Sequence, residues 1–128
     1  MRVVSEKKKV LVIDDNTGIL FVLQQALELK QYEVHISETY PGIDFVRNIS
    51  PDLICLDVSL VGQDGRDVAR ELKADPRTKH IPIILLTAYP NAEDMARESG
   101  ANDFLSKPFE LTLLWEMAAK YTAFNSGE

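Results

Sequence analysis

Five polar side chains follow, or nearly follow, short apolar runs. Asp14 and Asp15 come after Val10–Ile13, Asp57 after Leu53–Leu56, Thr87 after Ile81–Leu86, and Lys107 just beyond Phe104–Leu105. In an open parallel sheet, ligands bind in the crevice outside the carboxyl ends of the strands. If these runs are adjacent strands, three carboxylates, one hydroxyl and one ammonium meet in one pocket. Carboxylates held close together repel, and a hard divalent cation removes the conflict. An all-oxygen donor set favours Mg²⁺, with Mn²⁺ the alternative, over zinc. Beside such a cation the Asp57 carboxylate is a candidate nucleophile on phosphorus. Phosphoryl transfer asks mainly for positioning and charge neutralisation, and Lys107 and Thr87 offer donors for phosphate oxygens. Each residue also has an ordinary reading on its own. Asp14–Asp15 can cap a helix, Asp57 is a strand-end acid, Thr87 starts a helix and Lys107 is a solvated cation.

The elements that must position these groups alternate five times between apolar run and helical stretch, the pattern of an α/β sheet with crossover connections. The first strand is expected at about Lys9–Ile13. The first helix follows at Asn16–Lys30, with Ile19, Val22, Leu23, Ala26 and Leu27 inward. A second strand near Glu33–Ile36 alternates apolar and polar residues, as a half-exposed edge strand does. A short second helix, Tyr40–Asn48, precedes a third strand at Leu53–Leu56. A third helix, Asp64–Ala74, has Asp64 as its cap and Pro76 beyond its end. The fourth strand is expected at Ile81–Leu86 with Pro82 near its start. A fourth helix, Asn91–Ser99, ends at Gly100. A fifth strand lies at Asp103–Leu105. The fifth helix has Leu111, Leu114, Trp115 and Ala118 on one face and frays near Phe124. Strands without alternation are buried on both faces. The fold class is therefore α/β, a doubly wound five-stranded parallel sheet with five helices. The common order for five strands of this kind is 2-1-3-4-5, flavodoxin-like.

The bulk composition narrows the function classes. The chain has 128 residues, enough for one domain, and 45% of them are apolar. We divide it into an N-terminal flank at 1–8, a domain at 9–122 and a polar tail at 123–128. A net charge of −6 argues against a nucleic-acid footprint. The Lys7-Lys8-Lys9 run reads as a solvated flank. Cys55, the single cysteine, is expected to be buried and inert. The apolar stretches are too short to span a membrane, and no apolar leader opens the chain, so a cytoplasmic location is the default. His35 and His80 read as surface residues.

The segments Ile13-Asp14-Asp15-Asn16, Leu56-Asp57-Val58, Leu86-Thr87-Ala88 and Asp103-Phe104-Leu105-Ser106-Lys107-Pro108-Phe109 occur in this order. Together they resemble the receiver domain of two-component response regulators, over nearly the whole chain from Val10 to Trp115. The resemblance implies that Asp57 accepts a phosphoryl group from a phosphohistidine on a sensor histidine kinase or histidine phosphotransfer protein. It implies Mg²⁺ held by Asp15, Asp57 and the Ser59 carbonyl, with Asp14 acting through water. It makes Thr87 and Phe104 the switch pair, and Lys107 the phosphate ligand, with a cis Lys107–Pro108 bond. Ser59 and Tyr89 stand at the two variable positions that modulate the lifetime of the acyl phosphate. Output is expected on the face made by helix four, strand five and helix five, and a phosphorylation-dependent homodimer is among the outcomes the family allows. The sequence departs from the family pattern after the acceptor, where Leu60 is followed by Val61 instead of proline. The Gly62-Gln63-Asp64-Gly65 turn supplies two flexible glycines there.

Two other readings stay open. One is an interaction domain of the same fold that works without phosphorylation. The other is a small aspartate-nucleophile phosphohydrolase, which needs an acid two residues after the nucleophile, where this chain has Ser59. The chain is either a stand-alone regulator or a receiver from a longer protein, and no DNA-binding segment follows the fifth helix in it.

Overall fold

The computed structural model describes residues 7–123. Most of the expected flank at 1–8, the tail beyond residue 123 and the fraying of the last helix near Phe124 lie outside the described residues. Five strands form one parallel sheet: β1 (Lys9–Ile13), β2 (Glu33–Ser37), β3 (Leu53–Asp57), β4 (Ile83–Thr87) and β5 (Asp103–Ser106). Their spatial order is β2-β1-β3-β4-β5, as expected. Five helices connect and follow them: α1 (Thr17–Leu29), α2 (Ile43–Ile49), α3 (Gly65–Ala74), α4 (Ala92–Ser99) and α5 (Leu111–Ala123). No helix among the described residues is long and apolar enough to cross a membrane.

Two cores cover the faces of the sheet. Leu11, Ile13, Ile54, Leu56, Ile83 and Leu85 point to the side of α2, α3 and α4, against Val46, Val68, Leu72 and Met95. Val10, Val12, Leu53, Cys55, Ile84 and Leu86 point to the other side, against Leu20, Leu23, Leu27, Leu114 and Ala118 of α1 and α5. Successive residues in a strand face opposite sides. Every residue of β3 and β4 is buried, which is why these runs show no alternation. The edge strand β2 is only partly covered, with Val34 half-buried and Ile36 exposed.

Four details differ from the sequence expectation. In α1 the inward stripe is Leu20, Leu23, Ala26 and Leu27, while Val22 is 49% exposed and Ile19 only half-buried. The Asn16 side chain caps the helix, its Oδ1 accepting the Ile19 amide at 3.0 Å. Helix α2 begins later than expected, at Ile43, because Pro41 and Gly42 hold the chain outside the helix. Strand β4 begins at Ile83, one residue past Pro82, and the Pro82 carbonyl accepts the Ile54 amide at 3.0 Å. Finally, the segment after β3 folds into a small antiparallel ladder, pairing Ser59 with Asp64 and Leu60 with Gln63.

Other caps fall where the sequence puts them. The Asp64 carboxylate accepts the Arg66 amide at 2.9 Å at the start of α3. Gly100 ends α4 in the left-handed region, at φ +84.

Candidate functional site

Register brings the strand ends together. Ile13 lies beside Leu56, Asp57 beside Leu86, and Thr87 beside Ser106. Asp14, Asp57, Thr87 and Lys107 therefore share the carboxyl edge of neighbouring strands. One carboxylate oxygen from each of Asp14, Asp15 and Asp57 lies within 4.8 Å of the others. Lys107 Nζ bridges two of them, donating to Asp14 Oδ2 at 2.9 Å and to Asp57 Oδ1 at 3.2 Å. Asp14 is wholly buried, Asp57 nearly so, and Asp15 is half-buried.

The backbone fixes both acids. The Asn16 amide donates to Asp14 Oδ1 at 2.9 Å, and the Ser59 amide to Asp57 Oδ1 at 3.3 Å. Helix capping belongs to Asn16, so the paired aspartates are not spent on it. Burial, then the charge of Asp14, raises the Asp57 pKa above the ordinary carboxylate value, and the Lys107 ammonium only partly offsets this. For Lys107, burial works against the charged form, yet the hydrogen bonds and charges of Asp14 and Asp57 outweigh it and the pKa is raised. The ion pair thus holds Lys107 protonated without fully compensating the acids. Three carboxylates against one ammonium leave −3 + 1 = −2 when all are ionised. An all-oxygen set with that charge fits a hard divalent cation.

The remaining expected residues are Thr87, Ser59, Tyr89 and Phe104. Thr87 is buried, and its Oγ1 accepts the Tyr89 amide at 3.0 Å. Tyr89 is half-exposed, and Ser59 is exposed. Phe104 lies beside Leu85 in the ladder and packs on the α2–α4 core. The Lys107 amide donates to the Thr87 carbonyl at 2.8 Å, and the Lys107–Pro108 bond is cis. Lys107 also lines a mainly apolar groove with Asn16, Ile19, Val22, Pro108 and Phe109. A separate cleft among Arg47, Asp52, Arg77 and His80 opens at the opposite, amino end of the strands.

Gly65 has a role the sequence reading assigned differently. Its backbone is not left-handed, so flexibility is not why it is glycine; among the loop's two glycines only Gly62 has a positive φ, +75. A Cβ on Gly65 would lie 2.1 Å from the Asp57 carbonyl oxygen. The first residue of α3 is packed against the backbone of Asp57 itself. An Asp-Gly step at a helix start was the one available signal.

Comparison with known proteins agrees with this geometry. The family model described as "Response regulator receiver domain" matches residues 10–119. The response regulator PleD of Caulobacter vibrioides is 38% identical over 119 residues, covering 91% of this chain and 26% of that protein. The transcriptional regulator RpaA of Synechocystis is 36% identical, covering 90% of this chain and 48% of that one. The chain thus spans half or less of these curated relatives. Among solved structures, a response regulator from Chloroflexus aurantiacus superposes with a TM-score of 0.86 at 30% identity, covering 92% of this chain and 99% of that one. The receiver domain of the sensor histidine kinase PA1611 from Pseudomonas aeruginosa, solved with a magnesium ion coordinated in its active-site cleft, gives 0.78 at 28% identity, with 92% and 99% coverage.

Proposed function

The chain belongs to the response regulator receiver domain family, and from that premise we propose that it is a phosphoacceptor whose acceptor is Asp57. The observation that carries this reading is the Asp14–Asp15–Asp57 cluster with Lys107 bridging two of its members. An oxygen of Asp57 forms a bond to phosphorus as the phosphorus–nitrogen bond of a phosphohistidine breaks. The electron pair of that bond leaves with the ring nitrogen. The donor is a sensor histidine kinase or a histidine phosphotransfer protein. The apolar groove beside Lys107 is where its surface has room to approach.

Asp15, Asp57 and the Ser59 carbonyl would hold Mg²⁺, with Asp14 acting through water. The bound ion neutralises charge that otherwise builds up between Asp57 and the incoming phosphoryl oxygens. Lys107 has three N–H donors, of which two are engaged with Asp14 and Asp57, leaving one for a phosphoryl oxygen. Thr87 supplies a hydroxyl from the next strand. Ser59 and Tyr89, exposed at the mouth, govern the approach of water and so the lifetime of the acyl phosphate.

The phosphoryl group adds about −1.5 to −2 charges and three acceptor oxygens. Thr87 moves toward it, Phe104 follows into the space behind, and the α4–β5–α5 face changes shape for an output partner or a second copy. Shifting an equilibrium from 1:99 to 99:1 takes about 5.5 kcal/mol. A few charge-assisted hydrogen bonds at roughly 1.5–3 kcal/mol each are of that order.

The test is intact mass after incubation with Mg²⁺ and acetyl phosphate or phosphoramidate. One phosphoryl group is expected, absent in Asp57→Asn. No mass change with any donor would favour the interaction-only reading. Repeated turnover of a phosphate ester would favour a hydrolase, against which stands Ser59 in place of an acid.

A further inference from the structure

The Thr87 hydroxyl has one proton to donate, and its acceptor is Sδ of Met95 on α4, 4.0 Å away, while the same oxygen accepts the Tyr89 amide. Both partners are enclosed, Thr87 at 2% and Met95 at 4% exposure. Met95 is also the only large side chain that α4 buries, since its other buried residues are Ala92, Ala96 and Ser99. The seat of α4 on the sheet and the resting position of Thr87 therefore share one thioether.

We propose that Met95 is a positioning residue for Thr87, holding its hydroxyl off the phosphoryl position in the resting state and passing its departure to α4. This rests on Asp57 being the phosphoacceptor. The chemistry suits a switch. A thioether sulfur is a weak acceptor, so releasing it costs less than breaking a bond to a carbonyl. A phosphoryl oxygen is charged and accepts more strongly. The exchange therefore runs toward the phosphoryl group when it is present and back to Met95 when it is gone. The unbranched side chain has three rotatable bonds and can repack once Thr87 leaves. It does so in the same cluster against which Phe104 packs, so the two sides of the output face respond to one displacement.

The test is a double-mutant cycle read by fluoroberyllate affinity in the presence of Mg²⁺, using wild type, Met95→Leu, Thr87→Val and the double variant. Leucine keeps the volume and removes the acceptor. Met95→Leu is expected to tighten fluoroberyllate roughly three-fold, the loss of one weak hydrogen bond in the resting state. In the Thr87→Val background the same change is expected to have no effect. An equal change in both backgrounds, or none in either, overturns the proposal. Wild type that takes up no fluoroberyllate would instead refute the phosphoacceptor reading. A second readout needs no ligand. The ¹³C-labelled methyl resonance of Met95 is expected to shift on Thr87→Val and, in wild type only, again on adding fluoroberyllate; an unmoved resonance contradicts the contact.

Discussion

Replacing Gly65 by alanine tests directly how tightly α3 packs against the backbone of Asp57. The new Cβ would sit 2.1 Å from the Asp57 carbonyl oxygen and 2.9 Å from the Asp57 carbonyl carbon and Val58 Cα. Non-bonded heavy atoms rest at about 3.5–4.0 Å, so something must move by more than ~1 Å. All three atoms are backbone, and no flexible side chain can yield. The Gly65 amide also donates to the Val58 carbonyl at 2.8 Å, which pins the helix start to the strand end. Overpacking costs about 1–3 kcal/mol, and a backbone clash belongs at the upper end. At roughly 3 °C per kcal/mol for a chain of this size, the melting temperature should fall by about 10 °C. The displaced backbone carries Asp57, so phosphoryl uptake from acetyl phosphate should slow as well. Gly62→Ala is the control. It has open space around it and a φ of +75, so only backbone strain of about 1–2 kcal/mol applies. Thermal melts of both variants decide the matter. A Gly65→Ala protein that melts within ~2 °C of wild type and takes up phosphoryl at the same rate would refute the reasoning, as would a larger loss for Gly62→Ala.

Lys107→Met removes the counter-ion of two buried carboxylates. In the absence of metal it should cost about 3 kcal/mol at neutral pH in a urea melt. That loss is present while the acids are ionised, fades as pH falls through the raised Asp57 pKa, and is recovered on adding Mg²⁺. Burial pushes the Cys55 thiol up to about 12, so at pH 8 it should resist thiol reagents in the native protein and label fully in denaturant. Trp115→Phe breaks the bond from its Nε1 to the Ala26 carbonyl, at 2.9 Å, and weakens the stacking of Lys30 on the ring, at 4.6 Å. It should cost about 1–2 kcal/mol of stability by denaturant melt and leave phosphoryl uptake unchanged.

Much of this site was legible because of where apolar runs stop. Strands buried on both faces read as unbroken apolar stretches, so Asp14, Asp57 and Thr87 stand out as the first polar residues after them. The strand order is the common one for five-stranded sheets of this kind, and the roles of the individual residues came with the resemblance. What escaped the sequence depends on distances between segments. Nothing in Asp64-Gly65 tells whether glycine serves a turn or makes room for a neighbouring carbonyl. The two-rung ladder at Ser59–Asp64 breaks the apolar pattern too briefly to show a period. In α1, Ile19 and Val22 fit an inward stripe as well as Leu20 does, and only packing against the sheet tells them apart. The Thr87–Met95 contact joins residues on a strand and a helix whose types do not hint at pairing.

The central claim is that the Asp57 carboxylate carries an acyl phosphate. Borohydride reduces an acyl phosphate to the alcohol, converting that aspartate to homoserine. Protein treated with acetyl phosphate and Mg²⁺, reduced and then digested, should show homoserine at position 57 and aspartate retained at 14, 15, 52 and 64. Homoserine at another position, or aspartate intact at 57 in protein that has gained the phosphoryl mass, would contradict it.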